Sequence, residues 1–317
     1  MELIDRVAHR LKLRDLRLLD TVVRLRSMAK AATQLNISQP AVSKAIAELE
    51  HVFAVRLIVR NRQGIEPTEY GRALLDCGLA LFDDLRLGVK NIEFLADPAA
   101  GEVRIGCNNF LASGFVSVVT DRVARRFPRI AVHLAVPATE ILHHELSERK
   151  VDFLITRRWA PTVEKGMDFE FLFDDSFVVV AGAQSPWARR RRIALAELMN
   201  ESWVLPPSEG GFGAVATEAF RTCGHDYPHT RVVTAVPDVR MSLLATGRFL
   251  TIFPTSALRF PTWRPELKVL PVELPMGRVP SGIITLKNRA LSPVAQLFIE
   301  HAREVARTPA KRGKIGG

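Results

Sequence analysis

From the N-terminus to about Ile65, apolar residues recur at three- and four-residue steps, the spacing that gathers them on one face of a helix. Leu13, Leu16, Leu19 and Val23 mark a first such face. A second, short helix is predicted through Ala31, Ala32 and Leu35, with Ser27 as its N-cap. Asn36-Ile37-Ser38 then breaks the pattern. Asn tolerates the left-handed backbone that ends a helix, and Ser38 caps the next one with Pro40 in its first turn. Val42, Ile46, Leu49 and Phe53 form the buried stripe of that third helix. Two helices joined by so short a turn predict a helix-turn-helix. The basic segment Arg60 to Pro67, which contains Gly64, predicts a β-hairpin wing beside it.

Thr68 to Leu95 reads as one long helix. Leu74, Leu81 and Leu95 share one heptad position, Leu85 and Ile92 the other, and Gly78 and Gly88 fall in the same seam. An apolar stripe on an otherwise polar helix needs a cover: most simply a second copy of itself, alternatively its own domain. Asp97 to Gly101 reads as a linker. Beyond it, short β-rich runs alternate with amphipathic helices. Val103–Ile105, Val132–Val136, Phe153–Thr156, Phe177–Ala181, Trp203–Leu205 and Phe249–Ile252 are predicted as buried strands of mainly parallel sheets, in two lobes with a cleft between. The chain is therefore expected to be α/β overall. Residues 1–67 form an all-α winged helix-turn-helix and 68–96 a linker and dimerisation helix. Residues 97–310 form a two-lobed domain, with lobe I about 101–174 and 281–310 and lobe II about 175–280. Residues 311–317 are expected to be a disordered tail.

Composition narrows the class. Of 317 residues, 47% are hydrophobic and 25% charged, the balance of a soluble globular chain, and no apolar run reaches the roughly 18–20 residues of a membrane span. Charges in the first six residues, Met1 to Arg6, argue against a signal peptide. Cys77, Cys107 and Cys223 are too few and too scattered for a disulfide framework or a zinc site, so a cytoplasmic protein is expected. A net charge of +10 suggests a polyanionic partner. Catalytic and metal motifs fail. His143-His144-Glu145, with Glu148 beyond it, lacks zincin spacing, the Gly210–Gly213 run lacks both the Walker lysine and the dinucleotide pattern, and no G-x-S-x-G is present. Neither an enzyme, a metal nor a cofactor is expected. The run Arg189–Arg192 reads as a solvated loop or a second DNA contact.

In a helix-turn-helix the second helix enters the major groove, and its N-terminal residues meet base edges. With Val42, Ile46 and Leu49 turned inward, Ser38, Gln39, Pro40, Ser43 and Lys44 are the candidates to face DNA, with Arg60, Arg62 and Gln63 on the wing. Gln can bond adenine bidentately, Pro40 can meet a thymine methyl, Ser43 can serve base or phosphate, and the cations suit phosphates.

The series Ser27 to Ala32, Leu35 to Lys44, Ile46, Leu49-Glu50, Arg60 and Thr68-Glu69-Tyr70-Gly71 resembles the LysR-type transcriptional regulators across the whole first domain. The remainder is similar in plan. The resemblance implies a linker helix followed by an effector domain of the periplasmic-binding-protein type. It also implies a dimer or tetramer bound to an interrupted palindrome in double-stranded DNA, RNA polymerase as a partner, and a small-molecule effector that alters DNA bending. Two positions depart from the family pattern, Ala54 where a Gly is usual and Ile58 where a Phe is usual.

Ligands of open α/β sheets bind beyond the carboxyl ends of the strands. That rule selects Asn108 and Asn109, Thr139 and Arg157 in lobe I, and Ser208, Gly211 and Phe212 in lobe II. Phe110 stands where the family often has Ser or Thr. Arg157 with Thr139 predicts a clamp for an organic acid, whereas Asn108, Asn109 and Ser208 would suit a sugar. Two further readings compete: a solute-binding module whose basic head docks on protein or membrane, and a thiol redox sensor using Cys107 or Cys223.

Overall fold

Local capping sets the first domain. In the computed structural model, which describes residues 3–159, 164–209, 211–228, 230–259 and 266–308, the Ser27 hydroxyl accepts the Lys30 amide and the Ser38 hydroxyl accepts the Ala41 amide, each at 3.3 Å. Asn36 sits at φ 55°, in the left-handed region, and closes the intervening helix. The elements in order are α1 (Leu3–Arg10), α2 (Leu13–Leu25), α3 (Met28–Leu35), α4 (Gln39–Phe53), β1 (Ile58–Asn61), β2 (Gly64–Pro67) and α5 (Glu69–Ala96). Leu19, Val22, Ala31, Val42, Ile46 and Leu57 are buried at their common core. β1 and β2 pair antiparallel from Ile58↔Pro67 to Asn61↔Gly64, so the wing turns on Arg62 and Gln63. Glu50 fixes the approach to the wing by accepting the Leu57 amide at 2.8 Å. Gly71 permits the close crossing of α5, because a Cβ there would lie 2.0 Å from the Leu57 carbonyl oxygen. Ala54 ends α4 at φ 56°, the conformation for which glycine is favoured.

The chain divides into two compact units within α5, one through Gly88 and one from Val89. The second continues with β3 (Ala100–Cys107), α6 (Asn109–Leu111), a π-helical turn at Ala112–Val116, α7 (Ser117–Arg126), β4 (Arg129–Ala135), α8 (Thr139–Ser147), β5 (Phe153–Arg157), β6 (Met167–Asp175) and β7 (Phe177–Gly182). Then come α9 (Leu195–Leu198), β8 (Trp203–Leu205), α10 (Gly211–Thr222), β9 (Thr230–Val233), α11 (Pro237–Ala245) and β10 (Leu250–Pro254). It closes with α12 (Ser256–Arg259), β11 (Leu267–Val269), β12 (Val279–Leu286) and α13 (Pro293–Arg307).

Two five-stranded sheets result, ordered β4-β3-β5-β12-β6 and β11-β7-β10-β8-β9. The first packs Ile105, Phe115, Phe153 and Phe298 into its core, the second Val179, Trp203, Phe220 and Ile252. The sheets are mixed rather than mainly parallel. In each, three strands run parallel, and the two added on one side, β12 and β6 or β7 and β11, pair antiparallel. The antiparallel strands are those by which the chain passes between lobes, β6 into β7 through Ser176 and β11 on to β12. Other sequence expectations need revision. The linker shortens to Asp97–Ala99, since Ala100 and Gly101 already belong to β3. The run Val132–Val136 is not a buried strand. Strand β4 lies at the sheet edge with only Ile130 buried, so its alternation is masked by exposed apolar residues such as Leu134. The expected disordered tail, 311–317, lies outside the described residues. Among the described residues no helix is long and apolar enough to cross a membrane.

Candidate nucleic-acid interface and ligand cleft

The cap at Ser38 leaves the first turn of α4 outside the core. Gln39, Pro40 and Lys44 are exposed there, while Val42, Ile46 and Leu49 face inward. Lys44 makes only a long contact with Glu48, 3.9 Å between exposed groups. Ser43 is half-buried, and its hydroxyl donates to the Met28 thioether at 3.1 Å. Arg60 reaches the same sulfur through Nη2 at 3.1 Å. The structure thus brings a wing cation to the Met28 sulfur of α3 that Ser43 of α4 also contacts. A thioether is a weak acceptor, so a phosphate oxygen would replace it readily. Arg62 and Gln63 are exposed at the wing turn, where the Gln63 amide donates to Asn61 Oδ1 at 2.9 Å.

The long helix does not present one uniform seam. Leu74 is buried in the core of the first unit, and Gly78 packs against Leu16. Leu74 is therefore an intrachain core residue rather than an interface residue. Leu81 is half-buried, whereas Leu85, Ile92 and Leu95 are 47%, 69% and 81% exposed.

In the second unit the carboxyl ends of the parallel strands converge on a cavity of about 300 Å³. Asn108, Asn109 and Phe110 reach it from the end of β3, Pro137 and Ala138 from beyond β4, and Arg157 and Trp159 from β5. Across from them, Pro206, Pro207 and Glu209 follow β8, Gly211, Phe212 and Gly213 start α10, and Arg240 comes from α11. Trp159 stacks on Phe177 with ring centres 5.9 Å apart, and Phe177 meets Phe212 at 5.2 Å, making an aromatic wall shared by both lobes. Gly213 lets α10 start close against the preceding loop, since a Cβ would lie 1.9 Å from the Pro207 carbonyl oxygen. Ser208 is not among the lining residues, and its hydroxyl donates to Glu209 at 3.0 Å. The Thr139 side chain lies outside the described residues.

Arg157 departs from the role its position suggested. Its Nε and Nη2 donate to Asp175 Oδ2 at 2.9 and 2.6 Å, Nη1 to Asn108 Oδ1 at 3.1 Å, and Nη2 also to Ser256 Oγ at 3.0 Å. Asp175 also accepts the Ser256 amide and hydroxyl and the Thr255 hydroxyl. The guanidinium charge is thus matched inside the protein, in a buried network joining β5 and β6 of one lobe to the end of β10 in the other. It is not a free clamp for a ligand.

Sequence reasoning passed over Arg240. The side chain is only 2% exposed, and among the described residues no carboxylate forms an ion pair with it. Its Nε and Nη2 donate to Thr251 Oγ1 at 3.0 and 2.6 Å, and Nη2 donates also to the Ile252 carbonyl. The guanidinium lies 5.4 Å from the Phe110 ring centre and 4.9 Å from that of Phe253. Burial pushes its pKa down from the ordinary guanidinium range to about 9. No local pattern marks it in the sequence; its burial beside Leu244 on α11 comes only with the fold. Tyr227, raised to about 12 chiefly by burial, stays a neutral phenol and donates to the Pro206 carbonyl at 3.0 Å.

The cysteines are all free thiols. Cys107 is buried, and burial pushes its pKa up to about 12, far from a reactive thiolate. Among the described residues no group of three or more His, Cys, Asp or Glu could hold a metal ion. Arg189–Arg192 are exposed, with Arg190 bound to Glu197 at 2.8 Å.

Residues 13–72 match the family described as bacterial regulatory helix-turn-helix protein, lysR family, and residues 96–307 match the LysR substrate binding domain. The HTH-type transcriptional regulator GbpR of Azospirillum brasilense is 26% identical over 304 residues, covering 96% of this chain and 89% of its own length. The HTH-type transcriptional regulator TdcA of Escherichia coli (strain K12) is 25% identical over 283 residues, 89% of each chain. Among solved structures, CbnR, a LysR family transcriptional regulator, superposes with a TM-score of 0.62 at 19% identity, covering 94% of this chain and 100% of that one. Full-length CbnR complexed with its target DNA gives 0.54 at 20% identity and the same coverage. These likenesses are of fold.

Proposed function

Because the chain belongs to the LysR family and is a DNA-binding transcription regulator, we propose how its parts divide that work. α4 reads base edges through Gln39 and Pro40, with Ser38 and Ser43 in support. Lys44, Arg60, Arg62 and Gln63 hold the phosphates. The α5 stripe from Leu81 onward, with half-buried Leu81 and exposed Leu85, Ile92 and Leu95, pairs copies into a dimer or tetramer that spans an interrupted palindrome. The interlobe cleft takes a small-molecule effector, and no cofactor or metal is required. RNA polymerase is the further partner, in the cytoplasm.

One observation carries the DNA reading: a capped helix exposes Gln39, Pro40 and Lys44 while its opposite face is core, and Arg60 of the wing lies beside it. The test is a titration of the full chain on duplexes selected from a random pool. The three cations Lys44, Arg60 and Arg62, at phosphates from each of two subunits, give a loss of roughly 10³-fold in affinity between 50 and 200 mM salt, on top of preference for the selected site. Affinity that is flat with salt, or equal for all duplexes, would overturn the assignment. The convergence of Asn108, Asn109 and Arg240 with aromatic side chains on one concave cavity supports the effector reading, since a pocket that combines apolar walls with convergent polar groups is the usual form of a small-molecule site.

A further inference from the structure

A buried guanidinium is costly to desolvate and needs a counter-charge or a ligand that brings one. Of the two arginines lining the cleft, Arg157 already has Asp175. Arg240 has neutral acceptors on Nε and Nη2 only, and its Nη1 makes no hydrogen bond among the described residues. The rings of Phe110 and Phe253 hold the guanidinium on its sides, which fixes its orientation without cancelling its charge. The first-turn amides of α10, at Gly211 to Gly213, border the same cavity and carry the positive end of a twelve-residue helix. Part of the remaining wall is aromatic, formed by Trp159, Phe177 and Phe212.

Resting on the reading that this cleft is the effector site, we propose that its ligand is a small monocarboxylic acid with an apolar or aromatic body, held by Arg240 through its carboxylate. The acid supplies the charge that Arg240 lacks, and its body lies against the Trp159–Phe177–Phe212 wall. A cavity of about 300 Å³ limits it to a small molecule. A polyol does not meet these needs, because hydroxyls leave the buried charge uncompensated. Glu209 lies exposed at the mouth, where water screens it, and its carboxylate accepts the Ser208 hydroxyl.

The test is a thermal-shift and calorimetric series on the full chain at fixed ionic strength. The probes are monocarboxylates from acetate and butyrate to benzoate and phenylacetate, the primary amide of each, and a set of neutral polyols. At least one aromatic acid is expected to bind ten-fold or more tightly than its amide. Arg240→Gln should abolish that preference, and Arg240→Lys should restore part of it. Circular dichroism and ligand-free operator binding report whether each variant is folded, and the comparison of acid with amide in the unaltered protein needs no variant at all. Acid binding that survives unchanged in a folded Arg240→Gln variant overturns the proposal. So do amides or polyols that bind as well as the acids, although the cleft then remains an effector site. If no probe of any kind binds, the effector reading of the cleft fails along with the proposal.

Discussion

At the scale of single residues, chemistry separates groups that look alike in the sequence. Gln39 and Lys44 lie in the first two turns of one helix, yet one can recognise a base and the other a charge. Gln39→Ala should cost about 1–3 kcal/mol on the preferred operator and relax choice at one base pair, whereas Arg62→Ala should weaken all duplexes alike and flatten the salt slope. Competition titrations over single-base operator variants distinguish the two. Ala54 holds a left-handed conformation that favours glycine, so Ala54→Gly should raise stability by about 1 kcal/mol, measured by denaturant unfolding. Arg240 gives a pH signature. Its pKa is depressed in the fold, so the unfolded chain binds the proton more tightly, and the destabilisation is complete below about pH 9 and relieved as pH rises above that toward the ordinary guanidinium range. The stability advantage of an Arg240→Met variant over the wild type should therefore shrink between neutral pH and about pH 10; an advantage constant with pH would show that the charge is not what matters. The caps at Ser27, Ser38 and Asn36 were legible because they depend on neighbours in the chain. The partners of Arg157 and Arg240 were not, because Asp175, Ser256 and Thr251 meet them only through the fold.

At the scale of elements, periodicity reveals that a face is apolar without revealing what covers it. The α5 stripe was visible as a heptad pattern, but its first part, Leu74 with Gly78, packs on the chain's own helices, and only Leu85 onward is largely exposed. The two parts should fail differently. Leu74→Ala should destabilise the first domain by about 2–5 kcal/mol, the cost of a cavity in a packed core. Leu85→Glu and Ile92→Glu should leave that stability near the wild-type value while sedimentation shows smaller species and operator affinity falls. An unchanged oligomer would place the subunit contact elsewhere. Strand β6 was missed although Met167, Phe169, Phe171 and Phe173 alternate with mostly acidic neighbours, the period of a strand, and the register shift opposite Phe171 leaves that residue exposed. β12, buried along much of its length, offers no such alternation to read. The antiparallel pairing in both sheets escaped for a related reason, even at β7, whose run Phe177–Ala181 reads as a strand. Strand direction follows from how often the chain crosses between lobes, which local pattern does not record.

At the scale of the whole molecule, the net charge of +10 is a poor map of where DNA binds. Residues 1–88 hold 14 Lys and Arg against 11 Asp and Glu, while residues 89–317 hold 30 against 23. Most of the excess thus lies outside the helix-turn-helix unit, in features such as the Arg189–Arg192 run. Replacing Arg189, Arg191 and Arg192 with Gln should lower weak binding to arbitrary duplexes and leave discrimination of the operator intact. A loss of discrimination would make that loop a second reading head.

The Arg157–Asp175 pair also sets how many charges a visitor to the cleft can bring. With one arginine neutralised from within and the other open, the site is wired for a valence of one. A dicarboxylate would bring a second charge that no open cation in the cleft meets, so a monocarboxylate of similar size is expected to bind more tightly. Valence is then adjustable by a single atom exchange. Asp175→Asn keeps the shape and much of the hydrogen bonding at the lobe junction but returns Arg157 to the cavity as an open cation. A regulator so altered should turn from single to double acids, answering a different class of metabolite with the same DNA-reading head.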